Sequence, residues 1–520
     1  MLLWSLRHGK TVIAASTVLL FLSFSLLVFG FIGGEFIEVS DRGEFSVMME
    51  YEPGTVLGET DRITQEIERR IAASPEVEKV LANVGASTEG FFTESADNVS
   101  ELNVRLVPKE QRAISTDGFM QEVRNLLRDI PGLKASINPI GIFGTANETP
   151  VMVIFSGPFR NEVLLSAEAL RDSLRLVPGT ADVKLTSSLG SPEVRAVVDR
   201  EKMASFGLTI ADVGAALRTA YAGDEAGKFR EGDDEYDIRV MLDEYYRKHT
   251  SSIENITFRT PGGELVRLGQ FVSFVQDRGY TQLQRKNRNS AVWVKAQVIG
   301  RPVGSVGQDI ERIIAAMKKD GVMPPRVSHA YESDLKRQGE SFSTLLLAFL
   351  VAIVFVYLIM VALYDSYIWP MVVMFSIPLA VIGALFALAF FGKSLSIFTI
   401  LGIIMLVGLV GKNAILLVDF ITRFREEGME LHKAIVESGR ERLRPILMTT
   451  FTLIFGLMPI ALSGSSGSEW KSGLAVALIG GLSSSMFLTL LVIPVVYVGF
   501  DKLRSRFETM TAKLRPAAKS

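Results

Sequence analysis

The sequence predicts an α-helical membrane bundle of six helices joined to a large α+β region that folds in water. Three observations carry this. Six stretches, at 11–33, 342–363, 368–391, 395–422, 444–463 and 472–499, are apolar over the roughly 20 residues that a bilayer crossing requires. The charged residues concentrate between 35 and 340, where such stretches are absent. Within that span, runs with a period of two alternate with runs of period three to four, as β-strands do with amphipathic helices.

The elements follow in order. The first apolar stretch comes after Arg7, His8 and Lys10. It is longer than the apolar core of a signal peptide and no A-x-A site follows, so residues 1–34 read as an uncleaved anchor. Residues 35–145 form a first subdomain. A strand at 45–51 (FSVMMEY) precedes a helix at 58–73 with an Ile63, Ile67, Ile71 stripe, and strands at 77–84 and 101–107 precede a helix at 118–128 and a strand at 133–137. The order β-α-β-β-α-β is that of ferredoxin-like subdomains. A second copy occupies 146–189 and 286–335, with a strand at 151–155, a helix at 161–176, a strand near 181–186, a strand at 291–298, a helix at 306–317 and a closing strand at 326–330. Between its halves lies an insertion, 190–285, with a helix near 209–221 and several short strands. A single irregular α+β domain is the alternative. The other five apolar stretches make a bundle over 336–500, followed by a charged tail at 501–520.

Composition excludes several functions. A net charge of -2 gives no reason to expect nucleic acid. There is no cysteine, hence no disulfide, thiolate metal site or cysteine nucleophile. The four histidines, His8, His249, His329 and His432, show no metal or triad spacing, and no GxxxxGK[ST] run offers an ATP site. We therefore expect no enzyme, no cofactor and no bound metal. Lys and Arg are rich at the N-terminus, in 423–444 and in the tail, and sparse around Lys393 and 463–469. By the positive-inside rule both termini are cytoplasmic and the α+β region lies outside.

Lys412 is the most informative residue. It stands inside the apolar stretch 395–422, where a charge costs about 3 kcal/mol on insertion scales. The only acid in that stretch is Asp419, about two helical turns away, and the other apolar stretches carry no acid at mid-depth. The counter-charge is thus expected on another polypeptide. The plain alternative is a lysine that snorkels to the near interface.

Several segments resemble the resistance–nodulation–division (RND) efflux transporters, hydrophobe/amphiphile exporter branch. They are 408–420 (GLVGKNAILLVDF), 442–450 (RLRPILMTT), 456–497 with Met458-Pro459 and Gly480-Gly481, 43–62 (GEFSVMMEYEPGTVLGETDR), and 357–384 with Ser366, Pro370, Pro378-Leu379-Ala380 and Gly383-Ala384. The match is to the C-terminal half of such transporters only. The resemblance implies a proton relay containing Lys412, Arg442 and Thr449, with Asn413 beside it, and a partner chain like the N-terminal half that supplies intramembrane aspartates. It implies a substrate cleft gated by a flexible loop at 85–98, with Leu81, Gly85, Gly90, Phe91 and Phe92 as its residues. It further implies that the insertion docks to a periplasmic adaptor and an outer-membrane channel through a hairpin carrying Lys228, Arg230, Asp233 and Asp234. Three pairs of chains would assemble in the lipid of the bacterial inner membrane and export small amphiphilic compounds.

Each assignment has a simpler counterpart. Arg442 lies among interfacial cations, Thr449 can bond back within its own helix, and Asp419 reads as an interfacial cap. Phe91 and Phe92 can anchor their own loop, and the charged hairpin can be an ordinary solvated one. Met48, Met49, Met120 and Met152 form no evident triad and read as core filling. Against the transporter half stand a non-transporting scaffold derived from such a half, and a protein-export relative.

Overall fold

The computed structural model describes residues 2–38, 40–89, 92–141, 149–186, 189–280 and 283–514. The chain divides into two compact units, Met1–Thr186 with Gln284–Ser520, and Ser187–Leu283.

The first unit opens with α1 (Leu2–Arg7) and α2 (Gly9–Val28), the latter apolar on all sides and ending before the predicted 33. The α+β part follows with β1 (Glu44–Glu50), α3 (Leu57–Ala72), β2 (Val77–Glu89), β3 (Phe92–Leu106), α4 (Thr116–Arg128) and β4 (Lys134–Pro139). They build an antiparallel sheet in the order β2-β3-β1-β4. Phe45, Val47 and Met49 on β1 alternate into the core, and α3 covers them with Thr60, Thr64, Ile67 and Ile71 while Ile63 is only partly buried. The threonines belong there because the core holds a polar knot: Thr64 Oγ1 lies 2.9 Å from Tyr51 Oη and donates 2.8 Å to Ser100 Oγ.

A second sheet begins with β5 (Val151–Gly157), α5 (Arg160–Leu174) and β6 (Thr180–Leu185). The chain then leaves for the second unit, which contains β7 (Leu189–Val198), α6 (Arg200–Ser205), α7 (Ile210–Tyr221), β8 (Asp224–Glu231), β9 (Asp234–Val240), α8 (Glu244–Lys248), β10 (Thr257–Arg259), β11 (Leu265–Arg267) and β12 (Val272–Tyr280). Its strands pair as β7-β12, β8-β9 and β10-β11, and a small core gathers Val213, Phe258, Leu268 and Phe271 without any residue of β8 or β9. The first unit resumes with β13 (Gln284–Lys286), β14 (Asn289–Val298), α9 (Val303–Lys319) and β15 (Ser328–Glu332). Strand β14 inserts between β5 and β6, and β15 pairs with β5 on its other side.

The bundle consists of α10 (Ser333–Tyr364), α11 (Ile368–Met374), α12 (Ser376–Phe390), α13 (Ile397–Glu426), α14 (Leu431–Ala461) and α15 (Glu469–Leu514). Together with α2 this makes six spans long and apolar enough to cross a membrane, counting α11 and α12 as one. That span breaks at Phe375 because Pro378 cannot donate to the carbonyl four residues back and its ring crowds that turn. Glycines set the closest crossing. A Cβ on Gly383 would stand 2.3 Å from the Gly480 carbonyl oxygen, and one on Gly480 2.3 Å from the Ala387 Cβ, so α12 and α15 touch backbone to backbone.

Candidate functional site

Helix α13 carries the residues in question, and its two faces differ. Leu406, Val410, Ala414, Leu417, Val418 and Ile421 are buried in the bundle, where α13 packs on α12, α14 and α15. The opposite stripe, Leu401, Met405, Gly408 and Lys412 at successive three- and four-residue steps, is exposed, as is Asp419 two turns further on. Lys412 has no ion pair or hydrogen bond within the chain among the described residues. Among the described residues no atom outside α13 comes within 4 Å of a Cβ built on the exposed Gly408, or on Gly411, which itself is buried.

The residues named from sequence do not converge on Lys412. Asn413, its neighbour, turns inward: its amide donates 3.5 Å to Thr450 Oγ1, and both are buried. Thr449 is exposed and bonds back to the carbonyls of Pro445 (3.1 Å) and Ile446 (3.2 Å). Arg442 stacks its guanidinium 3.6 Å from the centroid of the Phe420 ring, with its Nε buried and without a hydrogen-bond partner. The hydrogen bond between α13 and α14 therefore runs through Thr450, not Thr449. Sequence periodicity held the signal, since Ile446, Thr450 and Ile454 recur every four residues and all three are buried.

The expected flexible loop at 85–98 is instead largely strand. Residues 85–89 and 92–98 extend β2 and β3 into one long hairpin, with a register shift between Val84 and Ala86 and a positive φ of 80° at Gly85. Leu81 is exposed on β2. Gly90, Phe91 and the side chain of Phe92 lie outside the described residues. Met49 and Met120 are core residues, whereas Met48 lies on the other face of β1, its sulfur 3.8 Å from the Asn138 amide nitrogen.

In the second unit every residue of β8 and β9 is exposed. Lys228 (3.3 Å) and Arg230 both pair with Glu235, while Asp233 and Asp234 carry no ion pair among the described residues. Phe229 faces Tyr236 across the strands, both rings open to the surroundings.

The family model described as AcrB/AcrD/AcrF matches residues 1–501. This chain belongs to the AcrB/AcrD/AcrF family. Among its relatives in that family are the cation efflux system protein CzcA of Alcaligenes sp. (strain CT14), 27% identical over 96% of this chain and 48% of its own. Protein HelA of Legionella pneumophila is 29% identical over the same shares. Multidrug resistance protein MdtC of Pectobacterium carotovorum is 28% identical over 81% of this chain and 41% of its own. The crystal structure of a heavy metal efflux pump superposes with a TM-score of 0.81 at 24% identity, over 94% of this chain and 49% of the pump. The chain thus spans about half the length of the curated relatives it matches. Family membership and six apolar helices together make it a multi-pass membrane protein.

Proposed function

We propose that this chain is a half-size subunit of an RND-type, proton-driven efflux transporter. It pairs with a second polypeptide that presents carboxylates in mid-membrane. One observation carries the reading: Lys412 stands on a stripe of α13 that nothing else among the described residues covers, one turn from the exposed Gly408, which has open space opposite. A lone ammonium facing lipid is costly, and small residues beside it admit a close helix. A carboxylate there would favour the charged lysine, and protonating it would release the pair, which is how a proton gradient can act on such a site. Arg442 and Thr449 are then peripheral to the relay, and Asn413 positions α13 against α14 through Thr450.

The rest of the reading follows from the family. The two α+β sheets are ferredoxin-like porter subdomains, supported by their strand orders. They face the periplasm of a bacterial inner membrane, with both termini cytoplasmic. The β8–β9 hairpin docks towards a periplasmic adaptor and an outer-membrane channel, and three pairs of chains assemble. The substrates are hydrophobic or amphiphilic compounds. Cation export is the second reading, favoured by the name of the CzcA relative.

Replacing Lys412 with Ala tests the relay. Export from cells producing the complex should fall to background while the protein stays in the membrane at unchanged amount. Export preserved in the variant would overturn the assignment and favour a scaffold.

A further inference from the structure

A second polar site lies where α2 leads into the α+β part, away from Lys412. The segment 33–36 is clamped on two edges there. Leu395 N–H donates 2.7 Å to the Gly33 carbonyl, Glu35 N–H donates 3.1 Å to the Leu395 carbonyl, and Ile397 N–H donates 3.2 Å to the Phe36 carbonyl. On the other edge Gly304 N–H, in the first turn of α9, donates 2.9 Å to the Gly34 carbonyl. A Cβ on Gly34 would lie 2.5 Å from the Gln338 amide nitrogen, so the strap also runs close against α10. One short strand thus joins the α12–α13 connection to the second sheet's helix.

Glu35 lies on this strap and Glu38 two residues beyond it, and the ammonium of Lys393 is close by. Glu38 pairs with Lys393 at 2.9 Å, their side chains 17% and 19% exposed, and its second oxygen is buried with no hydrogen-bond partner. Glu35 is partly buried, accepts from the Ser394 hydroxyl, and has Glu38, Lys393 and Asp334 as its charged neighbours. Glu469, from the start of α15, faces Glu38, but Lys109 (3.0 Å) and Ser40 (3.1 Å) already hold it. With every group ionised, the Glu35, Glu38 and Lys393 set carries one uncompensated negative charge in a site drawn away from water.

We propose that Glu35, Glu38 and Lys393 form a binding site for a single proton, and that its occupancy sets how firmly the strap holds α9 to the α12–α13 connection. Glu38 keeps Lys393, and the proton from bulk water resides on Glu35. Burial first, then the charge of Glu38, raises the Glu35 carboxyl to about 7, against the Ser394 hydrogen bond and Lys393, which lower it. The sign of the linkage follows. A carboxyl raised in the docked state favours docking fully below its ordinary 4.5, and that contribution is lost as pH rises through about 7. Acid therefore tightens the clamp and alkali loosens it. The inference stands on this joint alone and does not require the transport reading.

The test uses the full chain in lipid nanodiscs, titrated through neutral pH by infrared difference spectroscopy of its carboxyl groups. One carboxyl should titrate near pH 7 and be missing in Glu35→Gln. Glu38→Gln, which removes a like charge, should move its midpoint down, and Lys393→Met should move it up. Hydrogen exchange at 33–36, corrected for its intrinsic pH dependence, should be at least about tenfold slower in mild acid than in mild alkali, and flat in Glu35→Gln. Should Glu35→Gln fail to accumulate, the opposed shifts of the other two variants still decide. A wild type in which every carboxyl titrates below about pH 5 overturns the proposal, as does a neutral-range midpoint that neither variant moves.

Discussion

Lys412 and Asn413 are consecutive on α13 and face opposite ways. Asn413 reaches 3.5 Å into the bundle to Thr450, whereas Lys412 stands on the uncovered stripe without an ion pair among the described residues. One residue fixes the helix within its own chain, and the proposed relay needs the other to meet a second chain. The predictions below follow from that division.

The Asn413–Thr450 bond is a structural contact between helices. Asn413→Ala and Thr450→Val should each lower the melting temperature of the purified protein. The double variant should lose less than the sum, with a coupling of about 0.6 kcal/mol, the average for such bonds between membrane helices. Strict additivity would show that the two side chains do not act together.

Glycines separate internal packing from partner packing. In Gly480→Ala the new methyl meets Ala387 and the Gly383 carbonyl at 2.3–2.5 Å, so α12 and α15 must move apart and the protein should fail to accumulate. In Gly408→Ala the methyl meets nothing within the chain, so folding should be unaffected while association with a second polypeptide weakens. Membrane abundance and co-purification, measured side by side for both variants, check this. Equal abundance of the two would contradict the assignment of the α12–α15 crossing.

Asp41 holds a buried guanidinium. Arg112, with a side chain 1% exposed, donates to it together with Thr116. Burial alone would raise the Asp41 carboxyl, but the hydrogen bonds from Thr116 and Arg112, with the charges of Arg112 and Lys109, hold it below its usual value. Its contribution is therefore present above an ordinary carboxylate pKa and is lost only as pH falls through the lowered value. Asp41→Asn should cost about 2 kcal/mol, less than the roughly 3–5 of a fully buried pair because Asp41 is partly open. Thermal unfolding of the variant at neutral pH measures it, and an unchanged melting temperature would contradict the role.

Much of this was legible in the chain. The six apolar stretches needed only length and composition, and the two-period alternation in 45–137 located each element of the first sheet to within a few residues, except along its hairpin. Lys412 stood out because a charge in an apolar run is rare enough to demand a reason. The hairpin of β2 and β3 was cut short because the resemblance implied a flexible, glycine-containing loop at 85–98, yet cross-strand pairing carries most of it as strand. Thr450, which receives the bond from Asn413, was not singled out because a motif fixes spacing but not helix phase, and one position is about 100° of rotation. The site at Glu35, Glu38 and Lys393 was not legible, since Lys393 lies more than 350 positions from the two glutamates and only the strap brings them together.

The central claim is that another polypeptide covers the Lys412 stripe and supplies its counter-charge. The most direct measurement is the composition and mass of the complex recovered from native membranes in mild detergent with this chain as bait. A stoichiometric second membrane polypeptide with carboxylates in mid-span is the predicted result. A complex made of this chain alone would contradict the claim.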